Sequence, residues 1–493
     1  MYSAIVRPGD GPPTLSCPAA WLAEWGLEPG HTVRLEFGRR STSVTLTVTQ
    51  LGRRAVASLP PPVQRQLLAP AGVQMGLARQ EDGFRLGPVI GILTSLRLRG
   101  PAPAPARLGP QASFFAQLCQ AGRGRGAVVY VFSPEQIRWA SGAVAAVVQR
   151  GKGWGRTLFP LPDVVYVRTQ TRSSDRRPDV ARCLQRLEKA PGIQVLNRKF
   201  FDKWELHQAL AGHPAASRYL PVTRRYTSSR DVTELLGAYS RVFLKPTGGS
   251  LGKGIIRITR MPGAGYEYRI SLGSGDRRAM LRNLGAMLRR VRATVGRRRY
   301  IVQQGLHLAR LGGSTFDIRL LMQKDPHGQW AVSSRVARLA APDRLATNVA
   351  LGGRAVGSTR VMRAALRSLA PSSQQVSEAG RVLAAALEER LGHELVEVGI
   401  DLGLDRRGRI WLIEANSRPA RYWAWPPQPL IQRSVRGVLG FFLYRTGFLS
   451  SVKEIRHGET HRVYRHHGHR PTRRSRGAIR RTGAVLRQTH GGG

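Results

Sequence analysis

The chain is poor in cysteine, in lysine and in acidic residues. Three cysteines in 493 residues, Cys17, Cys119 and Cys183, stand far apart and form no CxxC pair. That excludes a disulfide framework and a thiolate metal cluster, and leaves each thiol as a small apolar filler. No apolar run approaches the ~20 residues that cross a bilayer. The first residues, MYSAIVRPGDGPP, lack a charged segment followed by an apolar core. A soluble, intracellular protein without a signal peptide is the expectation, cytoplasmic in location. Acidic residues number 30 against 78 Lys+Arg, a formal charge of +48. Attraction to nucleic acid or another polyanion is one consequence of such a charge.

Only eight of those 78 cations are lysines. Where arginine is the default cation, a retained lysine marks a demand for a compact, flexible point charge. Lys203, Lys245 and Lys253 fall in the segments that carry the chemistry below.

The pattern along the chain divides it into four. Residues 1–87 are β-rich: VRLEF (33–37) and STSVTLTVTQ (41–50) alternate at period two, and a small sheet or barrel is expected. Residues 88–196 read as α/β, with strands GPVIGIL (87–93), AVVYVF (127–132) and DVVYVR (163–168) in a parallel, doubly wound sheet. Residues 197–450 read as α+β. A helix is expected over 197–210, two β-runs around a Gly-rich loop at 241–258, and a basic helix over about 276–295. Strands follow at 300–306, 316–323 and 330–337, then a helix at 373–391, a hairpin at 396–415 and a closing helix at 428–448. Residues 451–493 are rich in Arg, His and Gly and carry six of the twelve histidines; a disordered basic tail is expected there, suited to an acidic partner.

Three segments carry chemistry. In GIDLGLDRRGRIWLIEANSRP (399–419), LDRRG is a turn between two apolar runs. Glu414 and Asn416 share one strand face, and pairing Leu404 with Arg409 makes Asp401 a diagonal neighbour of Glu414. Two carboxylates and an amide oxygen suit Mg²⁺, a hard ion that completes its shell with phosphates and water. In RVFLKPTGGSLGKGIIRI (241–258), glycines between two strands bring backbone N–H groups to phosphate oxygens, and Lys245 and Lys253 neutralise charge. The loop is not a phosphate loop of the GxxxxGK[ST] type, because Gly254 follows Lys253. In FDIRLLMQ (316–323), Asp317 and Arg319 share a face; Arg319 either reaches a transferring phosphate or pairs with Asp317. Arg338 and TNVALGG (347–353) follow, with Asn348 as a further polar ligand or a turn residue.

The order of these motifs resembles the ATP-grasp superfamily, and DIRLL with TNVALGG is similar to its RimK-type ligases. The interval from Asp401 to Glu414 and Asn416 looks like the metal-binding end of D-alanine–D-alanine ligases and glutathione synthetases. GPVIGIL, the NRKFFDKWELHQAL helix and the layout over about 88–450 resemble the YheC/YheD family of endospore coat-associated proteins. The resemblance implies two α+β subdomains clamping ATP, preceded by a Rossmann-like domain and the small N-terminal domain. It implies Lys203 and Lys245 on the ATP phosphates or base, Gly249, Ser250, Gly252, Lys253 and Gly254 folded over the phosphates, and Gln303, Gln304, Gly305 and Leu306 as the adenine hinge. Asp401, Glu414 and Asn416 would hold Mg²⁺, two ions in all, while Arg319, with Arg338 and Asn348 nearby, would face the γ-phosphate. The implied activity is an ADP-forming ligation of a carboxylate to an amine through an acyl phosphate, with spore-coat association. The alternatives are a non-catalytic coat scaffold of the same fold and a polyanion-binding protein. NSRPA (416–420) departs from the pattern by ending in Ala where related enzymes have Gly.

Overall fold

A computed structural model of the chain describes residues 2–6, 11–49, 56–98, 105–151, 153–249, 252–272, 275–341, 344–345, 347, 352–419 and 429–449. The basic tail, Ser250 and Asn348 lie outside the described residues.

The N-terminal β-runs close into a seven-stranded barrel. Thr32–Phe37 and Arg40–Val48 form its hairpin, with Phe37 opposite Arg40 across Gly38, which has φ +56°. Alternation sends Leu35, Phe37, Val44 and Leu46 inward and leaves Thr and Ser between them facing out. Closure removes the unpaired edges an open sheet would expose. The barrel interior is continuous with one face of the next layer, where Val89, Tyr130 and Phe159 are buried in the same core.

That layer is a seven-stranded mixed sheet. Val89–Leu93, Val128–Phe132, Val164–Val167 and Gln194–Leu196 run parallel. The strands Ala143–Arg150 and Gly153–Pro160, not anticipated from sequence, add an antiparallel hairpin beside them. Its alanines and glycines carry little β-propensity; pairing and burial of Val144, Val147 and Phe159 decide the outcome. The opposite face is covered by the helices Ala112–Arg123 and Pro429–Arg445.

Two further six-stranded sheets follow. The first, from Thr223–Arg225 to Asp276–Leu281, packs one face on the helices Ser229–Ala238 and Leu284–Val295. The expected basic helix therefore starts eight residues late: DRRAML (276–281) is a strand paired with Gly265–Ser271, and only Met287, Val291 and Val295 form a buried helical stripe. The second sheet contains Ser314–Lys324, Trp330–Leu339, Glu397–Leu404 and Ile410–Asn416. Its buried face packs on the helices Lys203–Ala211, Ser358–Leu366 and Ser373–Leu391. The polar faces of the two sheets line a shared cavity. The helix expected from 197 begins only at Lys203, because Asp202 caps it by accepting from the N–H groups of Trp204 and Glu205.

Candidate active site

One wall of the cavity is the hairpin Glu397–Leu404 and Ile410–Asn416. Asp405 closes the turn by accepting from the N–H groups of Arg407 and Arg409, at 2.9 and 3.0 Å. Gly408 is obligatory there: it has φ +79°, and a Cβ would lie 1.9 Å from the Leu369 carbonyl oxygen. The register differs from the expected one. Leu404 pairs with Ile410, and a bulge between Asp401 and Leu402 shifts the ladder so that Asp401 stands directly opposite Glu414. The two carboxylates are thus cross-strand partners, and Asn416, opposite Gly399, extends the same face.

The neighbouring strands supply cations. Arg319 is directly opposite Asp401 and Arg338 directly opposite Asp317. Arg338 binds Asp317 through both arms of its guanidinium, at 2.7 and 2.6 Å, and reaches Asp401 Oδ2 at 2.8 Å. Arg319 donates to Asp401 Oδ2 at 3.0 Å and ion-pairs with Oδ1. The alternative that Arg319 pairs with Asp317 is therefore replaced by a chain of alternating charge, Asp317–Arg338–Asp401–Arg319. Burial raises the Asp401 carboxyl against the pull of Arg319 and Arg338. Burial also opposes charge on Arg338, but Asp317 and Asp401 outweigh it and raise its pKa.

The other wall carries the lysines. Lys203, in the first turn of its helix, donates to Glu414 Oε1 at 2.8 Å and to the Gly249 carbonyl at 2.9 Å. It therefore pins the Gly-rich loop over the carboxylate. Against the cost of burial, Lys203, Lys245 and Arg319 hold the Glu414 carboxyl down at about 2. Lys245 donates to Gln303 Oε1 at 2.6 Å, and Gln303 donates onward to Thr223. Burial lowers the Lys245 pKa to about 8. Gln303, Gln304 and Leu306 line the cavity, as does Phe243. Among the Gly-rich residues, Gly252 lines it, Gly254 is tied by its N–H to the Ser271 carbonyl at 2.8 Å, and Lys253 is exposed away from the lining.

Arg172, which sequence reasoning passed over, completes this side. It donates to the carbonyls of Gly249 (3.2 Å) and Phe201 (3.0 Å), so the α/β layer touches the Gly-rich loop. Nothing around it in the sequence marks it out. The end of the hairpin is moored in the same way. Arg418 binds Asp175 at 2.7 Å and the carbonyls of Asn197 and Arg198. Asn197 donates to the Glu397 carbonyl at 2.8 Å. Glu397 is fully buried and paired with Arg168 at 2.8 Å. These contacts fix the strand ends that carry Asp401, Glu414 and Asn416.

The cavity measures about 590 Å³ and is lined by ten arginines and Lys245 against three carboxylates, Asp317, Asp401 and Glu414. Its size is that of a small-molecule site. The side chains meet the needs of Mg²⁺ in one respect: Asp401, Glu414 and Asn416 offer hard oxygens from adjacent ladder positions. Glu414 keeps 28% of its side chain exposed, so it is reachable from the cavity, while Asp401 keeps 4%. Among the described residues no three His, Cys, Asp or Glu side chains form a self-sufficient cage. The set fits an ion that arrives with phosphates and keeps some of them as ligands.

Residues 192–444 match the YheC/D-like ATP-grasp family. The chain is 26% identical over 359 residues to the endospore coat-associated protein YheD of Bacillus subtilis (strain 168), covering 72% of this chain and 78% of that one. It is 24% identical over 274 residues to YheC of the same organism, covering 54% and 73%. Among solved structures, D-alanyl-alanine synthetase A from Vibrio cholerae superposes with a TM-score of 0.43 at 12% identity, over 73% of this chain and 98% of that one.

Proposed function

The chain belongs to the YheC/D-like ATP-grasp family, and on that premise we propose that it is an ATP-dependent ligase that joins a carboxylate to an amine, forming ADP and phosphate. The observation that carries this reading is the direct pairing of Asp401 with Glu414, flanked by Asn416 and faced by Lys203, Lys245 and Arg319. Two acidic side chains and several cations in one cavity suit a metal–triphosphate complex, which brings both signs of charge.

In this reading the nucleotide lies between Phe243, the Gln303–Leu306 segment and Ile413, with its phosphates toward Lys203, Lys245 and the Gly-rich loop. Asp401, Glu414 and Asn416 would hold Mg²⁺, which when bound offsets phosphate charge and aligns the γ-phosphoryl group. Lys203 and Arg319 now neutralise the two carboxylates; on arrival of the nucleotide complex they exchange those partners for phosphate oxygens. A carboxylate oxygen of the substrate attacks the γ-phosphorus, the bond to the β-bridging oxygen breaks, and ADP leaves. The amine then attacks the acyl carbon, the carbon–oxygen bond to phosphate breaks, and the amine loses a proton. Phosphorylation is needed because a free carboxylate offers no leaving group to an amine. Lys245 and Arg319 contribute by fixed charge where negative charge develops on the transferring group.

Association with the endospore coat, the property in the names of YheC and YheD, is part of the proposal. So is docking of an acidic polymer or coat component by the basic tail. The test of the activity is ADP release with a panel of amino acids and short acidic peptides, using hydroxylamine as a general amine. Acid-dependent ADP and hydroxamate, both lost in Arg319→Ala, support the ligase. ATP hydrolysis that no acid stimulates, and that Arg319→Ala leaves intact, goes against it.

A further inference from the structure

The leading electrostatic influences on Lys245 and on Arg241, both lining the cavity, are different. The charges that act on Lys245 are Glu414, Lys203 and Asp401. The charges that act most on Arg241 are Arg257, Arg310, Glu267 and Arg406. Arg241 opens the strand Arg241–Pro246, Arg310 sits beyond the Gln303–Leu306 segment, and Arg406 lies in the turn of the catalytic hairpin. All three line the cavity. The chain connections hold them together: the Gly305 N–H donates to the Arg241 carbonyl at 2.9 Å, and the Arg406 N–H to the His307 carbonyl at 3.2 Å.

None of the three has a carboxylate partner among the described residues. Glu267, the acid that acts most on Arg241, is engaged by Arg257 at 2.7 Å and by Arg278 at 2.6 Å. Arg241 is half-buried, its Nε is buried with no hydrogen-bond partner, and its side chain donates to nothing described. The stem is accommodated by a glycine: a Cβ on Gly305 would lie 2.4 Å from Arg241 Cγ. Arg310 and Arg406 line the same cavity as Arg241 and oppose its charge, and the Arg241 guanidinium is itself partly desolvated. A structure keeps such an arrangement stably when an anion is shared between them.

We infer that Arg241, Arg310 and Arg406 form an anion subsite, distinct from the Lys203–Lys245–Arg319 cluster, that takes a phosphate dianion. Guanidinium forks match phosphate oxygens in pairs, and three uncompensated charges favour a dianion over a single carboxylate. The phosphate has two chemical sources. It is carried by the nucleotide on its ribose, or it belongs to a separate phosphorylated molecule bound beside the nucleotide. The subsite stands on the geometry of these arginines and does not require the ligase reading.

The test is calorimetric titration of the full chain with inorganic phosphate at constant ionic strength. Wild type is compared with Arg241→Gln, with Arg406→Gln, which alters only an exposed turn residue, and with Arg138→Gln on a remote exposed site as the charge control. Losing one charged hydrogen-bonding partner weakens binding about tenfold or more. We expect that loss in Arg241→Gln and Arg406→Gln and not in Arg138→Gln. Equal binding in all four proteins, or an equal loss in the control, overturns the subsite. Titration with adenosine 5′-monophosphate and adenosine 2′,5′-bisphosphate then identifies the source. A gain of about tenfold from the second phosphate that Arg406→Gln abolishes assigns it to the ribose. No gain, with phosphate still binding under saturating Mg-ATP, assigns it to a separate molecule. No gain, with phosphate displaced by Mg-ATP, places the anion at the triphosphate cluster and contradicts the proposal. Mg-ATP binding and its loss in Glu414→Ala are read independently, so failure here leaves the nucleotide site standing.

Discussion

Asp401 and Glu414 face each other across one rung of a hairpin, yet their direct ion pairs are with different cations. Asp401 is locked between Arg319 and Arg338 with almost no exposure, whereas Glu414 makes its direct ion pair with the ammonium group of Lys203, with Lys245 and Arg319 acting at longer range, and still faces the cavity. The two carboxylates therefore differ in how readily they exchange partners. In the proposed reading, Glu414 is the one a nucleotide-bound ion would reach first, and Lys203 the group it would release toward the phosphates.

The chain Asp317–Arg338–Asp401–Arg319 is buried throughout, so removing a member leaves an uncompensated charge. Arg338→Ala is expected to lower unfolding stability by about 3–5 kcal/mol, measured by urea titration. A loss below about 1 kcal/mol would show that Asp317 and Asp401 find other partners.

Glu397, in the sheet of the Asp401–Glu414 hairpin, is bound by Arg168 and Tyr166 of the α/β layer and by Gln323 of its own sheet. Glu397→Ala strands the buried Arg168 guanidinium and is expected to destabilise by a similar ~3–5 kcal/mol. Arg168→Met with Glu397→Leu, which removes both charges, is expected to recover most of that loss. Failure of the pair to recover it would assign the effect to packing.

All three cysteines are buried, and burial raises each thiol to about 12. At pH 8 the native protein should react with no equivalent of a thiol reagent within minutes, and the unfolded chain with three. The folded state binds these protons more tightly than the unfolded one. Their contribution to stability is therefore complete below the unfolded thiol pKa of ~8.5 and declines as pH rises toward about 12. A rapid native reaction at pH 8 would contradict the burial.

Residues 451–493 carry eleven Lys and Arg and two Glu. Deleting them is expected to reduce affinity for polyglutamate or heparin and to flatten its salt dependence. Mg-ATP binding should be unchanged. Unaltered polyanion affinity would move that role to the body of the protein.

Much of the site could be read from sequence because its residues lie close in the chain on strands whose two faces alternate. Asp317 and Arg319 share a face, Glu414 and Asn416 share another, and the LDRRG turn brings Asp401 to them. What could not be read is set by contacts between distant segments. The bulge at Asp401 depends on pairing with both neighbouring strands, and it turned a diagonal pair into a direct one. Arg172, Asn197 and Arg418 act through backbone carbonyls far along the chain, and no local pattern announces such bonds. The strand at 276–281 was read as helix because its arginines fit either period, and only pairing with 265–271 separates the two. Lys253, expected on phosphate from its place in the glycine loop, is exposed and is not among the residues lining the cavity.

The central claim is that this cavity binds a nucleotide through Asp401, Glu414 and Asn416. The most direct test is the thermal shift of the full chain with ATP, with and without Mg²⁺, beside Glu414→Ala. A ligand at ~100 times its dissociation constant stabilises the folded state by roughly 2.7 kcal/mol. The account predicts a Mg²⁺-dependent rise in Tm for the wild type that Glu414→Ala abolishes. No rise at saturating Mg-ATP, or an equal rise in Glu414→Ala, would contradict it.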